Sequence, residues 1–239
     1  MLLFRLKKTK NIDIDSKLKE YVIKNYDASS LSESVKTFFV GVNQDRTFIS
    51  KSEGNQTNID ILKQNAQITT HYINSLAALI KKMTFGKESY SCKIEFVWTD
   101  TIKNGNWTSY NVYFELYNCL FNLASTYFAL GYFTGSTEGA DKNILKEASK
   151  YFKYSMYIFN AIKEEVTNKI TEKEIPNDLH PSHLDYCIAM CMTYGNIQII
   201  KIAKETNPHD FMLHSKIALA ISENYKKAYD LSNQLTTKK

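Results

Sequence analysis

Two histidines and two cysteines in one short stretch are the residues of this sequence whose types could bind a metal ion. His180, His183, Cys187 and Cys191 offer imidazole nitrogens and thiolate sulfurs, which are ligands that zinc prefers in proteins. The last three follow the i, i+4, i+8 spacing of one helix face. Ligands two turns apart on a straight helix lie about 12 Å apart, so they cannot all reach one ion. A site that pairs His180 with one of the others is the alternative, but we expect core cysteines and no bound metal.

Nucleophilic catalysis is the second chemistry that these residue types allow. Cys92 or Cys119 could attack a substrate with a distant histidine as the base, but such a pair can be chosen from almost any chain of this length. The sequence contains no glycine-rich phosphate loop, no nucleophile elbow and no paired catalytic carboxylates. The four cysteines lie in otherwise apolar segments, without the dense spacing of a disulfide framework. We therefore predict no enzyme activity, no catalytic residues, no cofactor and no disulfide.

The composition favours a helical protein. The hydrophobic content is 44%, and only 3 prolines and 8 glycines interrupt the chain, too few for the many turns of an all-β sandwich. No run of 18 uncharged apolar residues is present, so the sequence predicts a soluble, cytoplasmic protein. The net charge of +5 is mild, and the lysines alternate with glutamates instead of forming the basic stripe that nucleic acid requires. We expect no nucleic-acid partner.

Apolar residues at helical spacing predict six helices. Their approximate bounds are Ile14–Tyr26, Ile59–Lys82, Tyr110–Gly131, Leu145–Asn168, Ser182–Lys204 and Asp210–Leu235. Residues 29–57 have a mixed pattern that ends in the polar loop SEGNQTN. Three further polar runs, TIKNGNW, GYFTGSTEGADKN and TEKEIPNDLHPS, are predicted to be turns or loops. Consecutive helices with short connections favour antiparallel neighbours, as in an α-solenoid or an elongated bundle.

The helix predicted at 110–131 is apolar on more than one stripe, so it should be buried between neighbours. Glu115 and Asn122 are polar residues within this apolar run. A buried carboxylate is costly unless it is paired. Glu115 is therefore either solvated or held by a partner, and the sequence leaves both alternatives open.

Five segments of the chain resemble, in the same order, segments of the BRO-one (Alix-like) domain family. They are LKKTKNIDIDSKLKEYVIKNYD, FELYNCLFNLA, LKEASKYFKYSMYIFNAIKEE, DLHPSHLDYCIAMCM and SKIALAISENYKKAYDL. Each match is loose alone, but their collinear order makes the joint occurrence specific. The chain departs from the family at Leu116, where a lysine usually follows the shared glutamate, and at TYGN, where the family has a Gln-Ala-Gln run.

The resemblance implies a fold. It implies an elongated helical solenoid of tetratricopeptide-like helix hairpins with a small antiparallel β-sheet near the N-terminus. Because the family pairs two strands at one end, and because Leu2–Lys7 and Ile94–Thr99 both alternate like strands, we expect these two segments to pair. We also expect residues 1–239 to form a single domain that ends before the last helices of the family.

The resemblance also implies a function. Members of the family dock the C-terminal amphipathic helix of an ESCRT-III subunit, a charged multivesicular body protein, in endosomal sorting, multivesicular body formation or membrane scission. The family's apolar contact positions fall on Ile199, Leu213 and Ile217, and its basic flank falls on Lys146 and Lys150. The implied protein is a non-enzymatic, cytoplasmic module that is recruited to endosomes or other membranes. The alternative for the three apolar residues is an ordinary core position.

Two other functions remain open from the sequence. Relatives use the same domain as a signalling scaffold in pH-response or small-GTPase pathways. The basic surface could instead bind anionic lipid directly, with Lys7, Lys8 and Lys10 in contact with an endosomal membrane. Salt-dependent binding to liposomes would favour the membrane role, whereas saturable binding of an ESCRT-III helix would favour the docking role.

Overall fold

The computed structural model describes residues 4–26, 31–52 and 57–237 of the chain. In these residues, seven helices and one β-hairpin account for the regular structure. The helices are α1 (Ile14–Asn25), α2 (Glu33–Lys51), α3 (Ile59–Ile80), α4 (Val112–Gly135), α5 (Lys142–Lys169), α6 (Pro181–Thr206) and α7 (Phe211–Thr237), and the strands are β1 (Phe96–Thr99) and β2 (Asn106–Ser109). Two single 3₁₀ turns, Glu172–Glu174 and Asn177–Leu179, separate α5 from α6.

Local sequence signals set where most helices begin. The side chains of Asp13, Asn58, Asn111 and Asp141 each accept a hydrogen bond from a backbone N–H in the first turn of α1, α3, α4 and α5. Pro181 opens α6, where its missing N–H would have no partner inside the helix in any case. Six of the seven helices accordingly lie within a few residues of their predicted bounds.

The helices pack in the order of the chain. The most extensive helix contacts join α3 with α4, α4 with α5, α5 with α6, and α6 with α7. Each of these helices therefore packs mainly on its neighbours in sequence, as in a solenoid of antiparallel helix hairpins. Three aromatic side chains of α4, Phe114, Phe121 and Phe128, are fully buried at the centre. The predicted class, a helical solenoid with a small antiparallel sheet, is confirmed.

The strand that was expected to pair with β1 is not its partner in the sheet. β1 pairs with β2, with Phe96 opposite Ser109 and Thr99 opposite Asn106. β2 begins in the run TIKNGNW, which we had predicted as a turn. A hairpin with a short connection loses less chain entropy than a pairing across about ninety residues, which favours β2 as the partner. Residues 2 and 3 of the predicted first strand, Leu2–Lys7, lie outside the described residues.

The N-terminal segment nevertheless contacts β1, just beyond the predicted range. The amide of Thr99 donates to the carbonyl of Lys8 (2.9 Å), the amide of Lys10 donates to that of Val97 (3.3 Å), and Thr9 forms a single antiparallel bridge with Trp98. This segment is therefore fixed against the hairpin without forming a third strand.

Residues 33–51 form α2, where the sequence pattern was too mixed to predict a helix. Its buried face consists of Phe39, Val42, Arg46 and Ile49. An arginine at the centre of that face interrupts the apolar periodicity, which hid the helix from pattern analysis. Most of the predicted SEGNQTN loop, residues 53–56, lies outside the described residues.

The predicted loop GYFTGSTEGADKN begins in a helix, because α4 continues to Gly135. Gly131 lies at a close approach between α4 and α5: a Cβ there would be 3.0 Å from the Phe152 ring and 3.1 Å from the Ala148 carbonyl oxygen. The glycine thus permits helix packing instead of marking a turn. The following Gly139 does have the positive φ of a turn, +70°.

Candidate functional site

An apolar groove lies between α5 and α6, and we call it the α5–α6 groove. It has a volume of about 230 Å³, and its sides carry Lys153 and Met156 from α5 and Met192 and Ile199 from α6. Phe152, which is fully buried, forms part of the lining. A groove with aliphatic and thioether walls suits the insertion of apolar side chains from a partner.

The groove is open because its walls lie off the core-facing stripes of both helices. On α5 the buried stripe runs through Leu145, Ala148, Phe152 and on to Val166, so Lys153 and Met156 lie to one side of it. On α6, Met192 is 41% exposed and Ile199 is 43% exposed. Two large apolar side chains exposed along one cavity wall offer a partner a contiguous apolar area.

Of the three predicted apolar contact residues, only Ile199 lines this groove. Leu213 and Ile217 are half-buried on α7. Helix α7 packs against α6, so Leu213 and Ile217 lie on the helix next to the one that carries Ile199.

The predicted basic flank lies on the exposed side of α5. Lys146 and Lys150 are both exposed, and the Lys150 ammonium lies 5.6 Å from the centre of the Tyr154 ring. A third lysine, Lys153, lines the groove itself, with its ammonium 5.6 Å from the Tyr157 ring. These contacts keep the cations at the surface, where they can meet an acidic partner.

Lys153, Met156 and Met192 are residues that sequence analysis did not assign to the site. The signal for the two α5 residues is a stripe displaced from the buried one: Ser149, Lys153 and Met156 follow the i, i+4, i+7 spacing of a helix face. On a sequence alone, this spacing cannot be told from an ordinary solvated face.

The histidine and cysteine cluster is part of the core. Cys187 and Cys191 are buried, the Cys187 sulfur lies 3.6 Å from His183 Nε2, and the Cys191 sulfur lies 3.2 Å from the Ser155 hydroxyl. His180 caps α6 through its own side chain. In the described part of the chain, no three His, Cys, Asp or Glu side chains are grouped so that they could hold a metal ion.

The thiols that we considered as nucleophiles are not activated. Burial raises the pKa of Cys92 to about 12 and that of Cys119 well above its usual range. The nearby Glu115 carboxylate further raises the pKa of Cys119. A thiol reacts as the thiolate, so both groups are held in their unreactive protonated form at neutral pH.

Glu115 is buried and paired, which decides between the two alternatives left by the sequence. Its carboxylate accepts hydrogen bonds from Arg46 Nε at 2.6 Å, Trp98 Nε1 at 2.5 Å and the Tyr72 hydroxyl at 3.0 Å. Arg46 also donates to the Thr9 hydroxyl. This cluster joins α2, α3, α4 and the hairpin to the N-terminal segment.

A second buried ion pair holds Lys7. Its ammonium lies 2.5 Å from Asp178 Oδ1, and its backbone exchanges two hydrogen bonds with the Asn122 side chain, at 2.7 Å and 2.9 Å. Burial lowers the pKa of Lys7, although Asp178 opposes that shift. The prediction that Lys7 touches lipid is therefore wrong, since its charge is enclosed. Lys8 and Lys10 are exposed.

None of the helices in the described ranges has both the length and the apolar character needed to cross a membrane.

A family model described as a BRO1-like domain matches residues 1–239. Among curated proteins, ALG-2 interacting protein X of Dictyostelium discoideum is 24% identical over 239 residues, which cover 98% of this chain and 27% of that protein. The chain thus spans about a quarter of the length of that relative.

Solved structures with the same fold include three that each match over 98% of this chain. ALIX in complex with the SIVmac239 PYKEVTEDL late domain gives a TM-score of 0.83 at 14% identity, over 33% of its own chain. The ALIX BRO1 domain in complex with CHMP4C gives 0.81 at 15% identity, over 64% of its chain. A Bro1 domain described as a basis for endosomal targeting gives 0.73 at 17% identity, over 61% of its chain.

Proposed function

Because this chain belongs to the BRO1-like domain family, we propose that it is a protein-interaction module that docks the C-terminal amphipathic helix of an ESCRT-III subunit. A solved relative with the same fold is the ALIX BRO1 domain in complex with CHMP4C, an ESCRT-III subunit. The module acts without catalysis. It is cytoplasmic, is recruited to endosomes or other membranes, and serves endosomal sorting, multivesicular body formation or membrane scission.

The observation that carries this proposal is the exposed apolar surface of the α5–α6 groove. An amphipathic helix docks by inserting apolar side chains at i, i+3, i+4 and i+7 into such a groove, because its own backbone hydrogen bonds are already satisfied. Met192 and Ile199 offer exposed apolar area on one wall, and Met156 offers it on the other. Methionine adapts its shape to the inserted side chain, which suits a groove that has to close around a partner.

The half-buried residues of α7 extend the docking surface. Leu213 and Ile217 are four residues apart on α7, which separates them by about 6 Å along one face of that helix. That spacing matches the i and i+4 anchors of a bound helix, so we place these two residues at the end of the docking surface beyond Ile199. Partial exposure means that these side chains keep surface available for a partner while they pack against α6.

Lysines on α5 set the orientation of the bound helix. Lys146, Lys150 and Lys153 present positive charge on one side of the groove. A partner helix with acidic residues along one edge will bind in the register that brings that edge to α5, because charges at the rim of an interface act mainly on orientation and association rate. We expect these lysines to add less affinity than the apolar anchors.

The proposal includes two further points about the chain. Residues 1–239 form one domain, since one cluster of buried apolar residues extends from Ile14 in α1 to Ala228 in α7.

Contact with an endosomal membrane is peripheral and uses the exposed Lys8 and Lys10. Lys7 takes no part in it, because its side chain is buried. Liposome binding by the chain without a partner should therefore be weak and should disappear at high salt.

A titration with matched variants tests the docking function. We expect a fluorescently labelled ESCRT-III C-terminal helix to bind saturably, as read by fluorescence anisotropy. Ile199→Asp should weaken binding at least about thirtyfold, because the carboxylate must lose its hydration in an apolar groove. Ile23→Asp is the control, since Ile23 on α1 is 52% exposed but lies outside the groove. Equal affinities for these two variants would contradict the proposal.

A further inference from the structure

A second apolar groove lies where the ends of three helices meet, far from α5 and α6 in the helix order. We call it the α1–α3 groove. Tyr21 and Tyr26 near the end of α1, Phe38 near the start of α2, and Ala78 and Lys82 near the end of α3 contribute to its lining. The groove has a volume of about 390 Å³, which is larger than the α5–α6 groove. The proposed docking function makes no use of it.

Among the described residues of the lining, Lys82 is the one charged side chain. It is exposed at the end of α3, and none of these described residues carries a carboxylate. Apart from this ammonium and two tyrosine hydroxyls, the lining side chains are aliphatic, aromatic or thioether groups. One hydroxyl, that of Tyr21, already accepts a hydrogen bond from the Thr84 amide at 3.3 Å. The described lining therefore offers an apolar surface and one cation.

We propose that the α1–α3 groove binds one free long-chain fatty acid, with the carboxylate at Lys82 and the alkyl chain along the aromatic residues. A carboxylate at this lysine forms a charge-assisted hydrogen bond, and the chain leaves water for an apolar surface. The size agrees with this ligand. A cavity of about 150 Å³ holds benzene, with six carbons, so the same packing gives room for about fifteen carbons in this groove.

Other occupants fit the lining less well. An extended peptide would bring backbone N–H and C=O groups against side chains that have almost no partners for them, which is costly. A helix is about 10–12 Å wide, so it could lie over the groove but not enter it. A membrane phospholipid has two acyl chains, and the second would remain outside. One chain and one negative charge match one apolar groove and one lysine.

Binding is measured by titrating the chain with monomeric sodium tetradecanoate and following the methionine methyl groups by ¹³C NMR. Met83 lines the α1–α3 groove, whereas Met156 and Met192 line the α5–α6 groove. We expect the Met83 signal to shift saturably while the other two stay in place. Affinity should rise about fourfold for each methylene from decanoate upward, and should level off once the groove is filled.

Two pairs of variants test the groove and the lysine separately. Ala78→Phe fills the groove from an exposed helix position and should weaken tetradecanoate binding at least tenfold. Ala77→Phe, also exposed but turned away by about 100° along α3, should leave it unchanged. Lys82→Gln should weaken binding of the acid about tenfold but not that of tetradecanol, and its control Lys81→Gln should affect neither ligand.

The results that would overturn this inference are distinct from failure of the docking function. Absence of a Met83 shift, or equal affinities for Ala78→Phe and Ala77→Phe, would rule out the fatty-acid site. A Met83 shift caused by anionic vesicles but not by monomeric fatty acid would assign the groove to a membrane instead. A Met83 shift with the ESCRT-III helix would assign it to a protein partner. If Ala78→Phe fails to fold, the Lys82→Gln comparison of acid and alcohol still decides.

Discussion

The ion pair between Arg46 and Glu115 gives the sharpest test of how the solenoid is held together. Both side chains are fully buried, and their closest atoms lie 2.6 Å apart. Glu115→Gln keeps one oxygen, which can accept from either Tyr72 or Trp98, but it removes the negative charge, so the Arg46 guanidinium stays buried without compensation. Breaking a buried pair in this way costs about 3–5 kcal/mol. Arg46→Met should cost a similar amount, because it leaves the negative charge of the Glu115 carboxylate buried without compensation.

The double variant Arg46→Met/Glu115→Gln distinguishes pairing from ordinary packing. It buries no charge and keeps an acceptor for one of the two remaining donors, the Tyr72 hydroxyl or the Trp98 indole, so it should lose about 2 kcal/mol less stability than the sum of the two single variants. Urea unfolding at neutral pH measures all three, and Glu147→Gln is the control. Glu147 forms an exposed pair with Lys63 at 3.7 Å, whose loss should cost less than about 1 kcal/mol. Additive losses in the double variant would refute the argument.

Four further predictions follow from the described contacts. Burial lowers the pKa of His183 to about 4, below its unfolded value of about 6.5, so stability present above pH 6.5 should be lost as the pH falls toward 4. Between pH 7 and pH 4.5, the urea midpoint of His183→Gln should fall less than that of the unchanged protein. The purified protein should contain no stoichiometric zinc by elemental analysis; zinc that disappears in His183→Ala would contradict this. Leu213→Asp should weaken ESCRT-III helix binding at least about thirtyfold while a melting curve shows a folded protein; if it unfolds, Leu213 serves the core. Lys146→Ala should weaken that binding less, and mainly at low salt.

The long helices could be predicted because each carries its own signals. In α5, for example, the apolar stripe and the capping residue Asp141 both lie within the helix or next to it. Helix α2 could not be predicted, because its central inward-facing residue is Arg46. The charge of that arginine is compensated in the core by Glu115, which lies 69 positions later. A partner so distant in sequence leaves no local pattern.

The β-sheet shows the same limit. The strand near Ile94–Thr99 was recognisable from its alternation, but its partner was not, since Asn106–Ser109 consists of polar residues and a tryptophan. The short hairpin connection favours β2 as the partner of β1, and the N-terminal segment, held by the Lys7–Asp178 pair, adds only a single bridge to β1. The first cause is local but lies in a polar run, and the second is tertiary.

For the candidate site, the family resemblance named the contact residues, and the structure gave their exposure and their position in the fold. Ile199 lines a groove, whereas Leu213 and Ile217 are half-buried on the next helix. Met192 and Lys153 complete the groove, yet nothing in their local sequence separates them from a solvated face. Exposure of a side chain beside the buried stripe depends on which neighbouring helices cover it, and a single sequence does not encode that locally.

The measurement that tests the docking function most directly is the methionine ¹³C NMR spectrum of the chain during addition of an ESCRT-III C-terminal helix. Met156 and Met192 report on the α5–α6 groove, and Met83 reports on the remote α1–α3 groove. We predict saturable shifts of Met156 and Met192 with Met83 unchanged. Saturable binding that moves neither Met156 nor Met192, or no binding at all, would contradict the assignment of this groove as the docking surface.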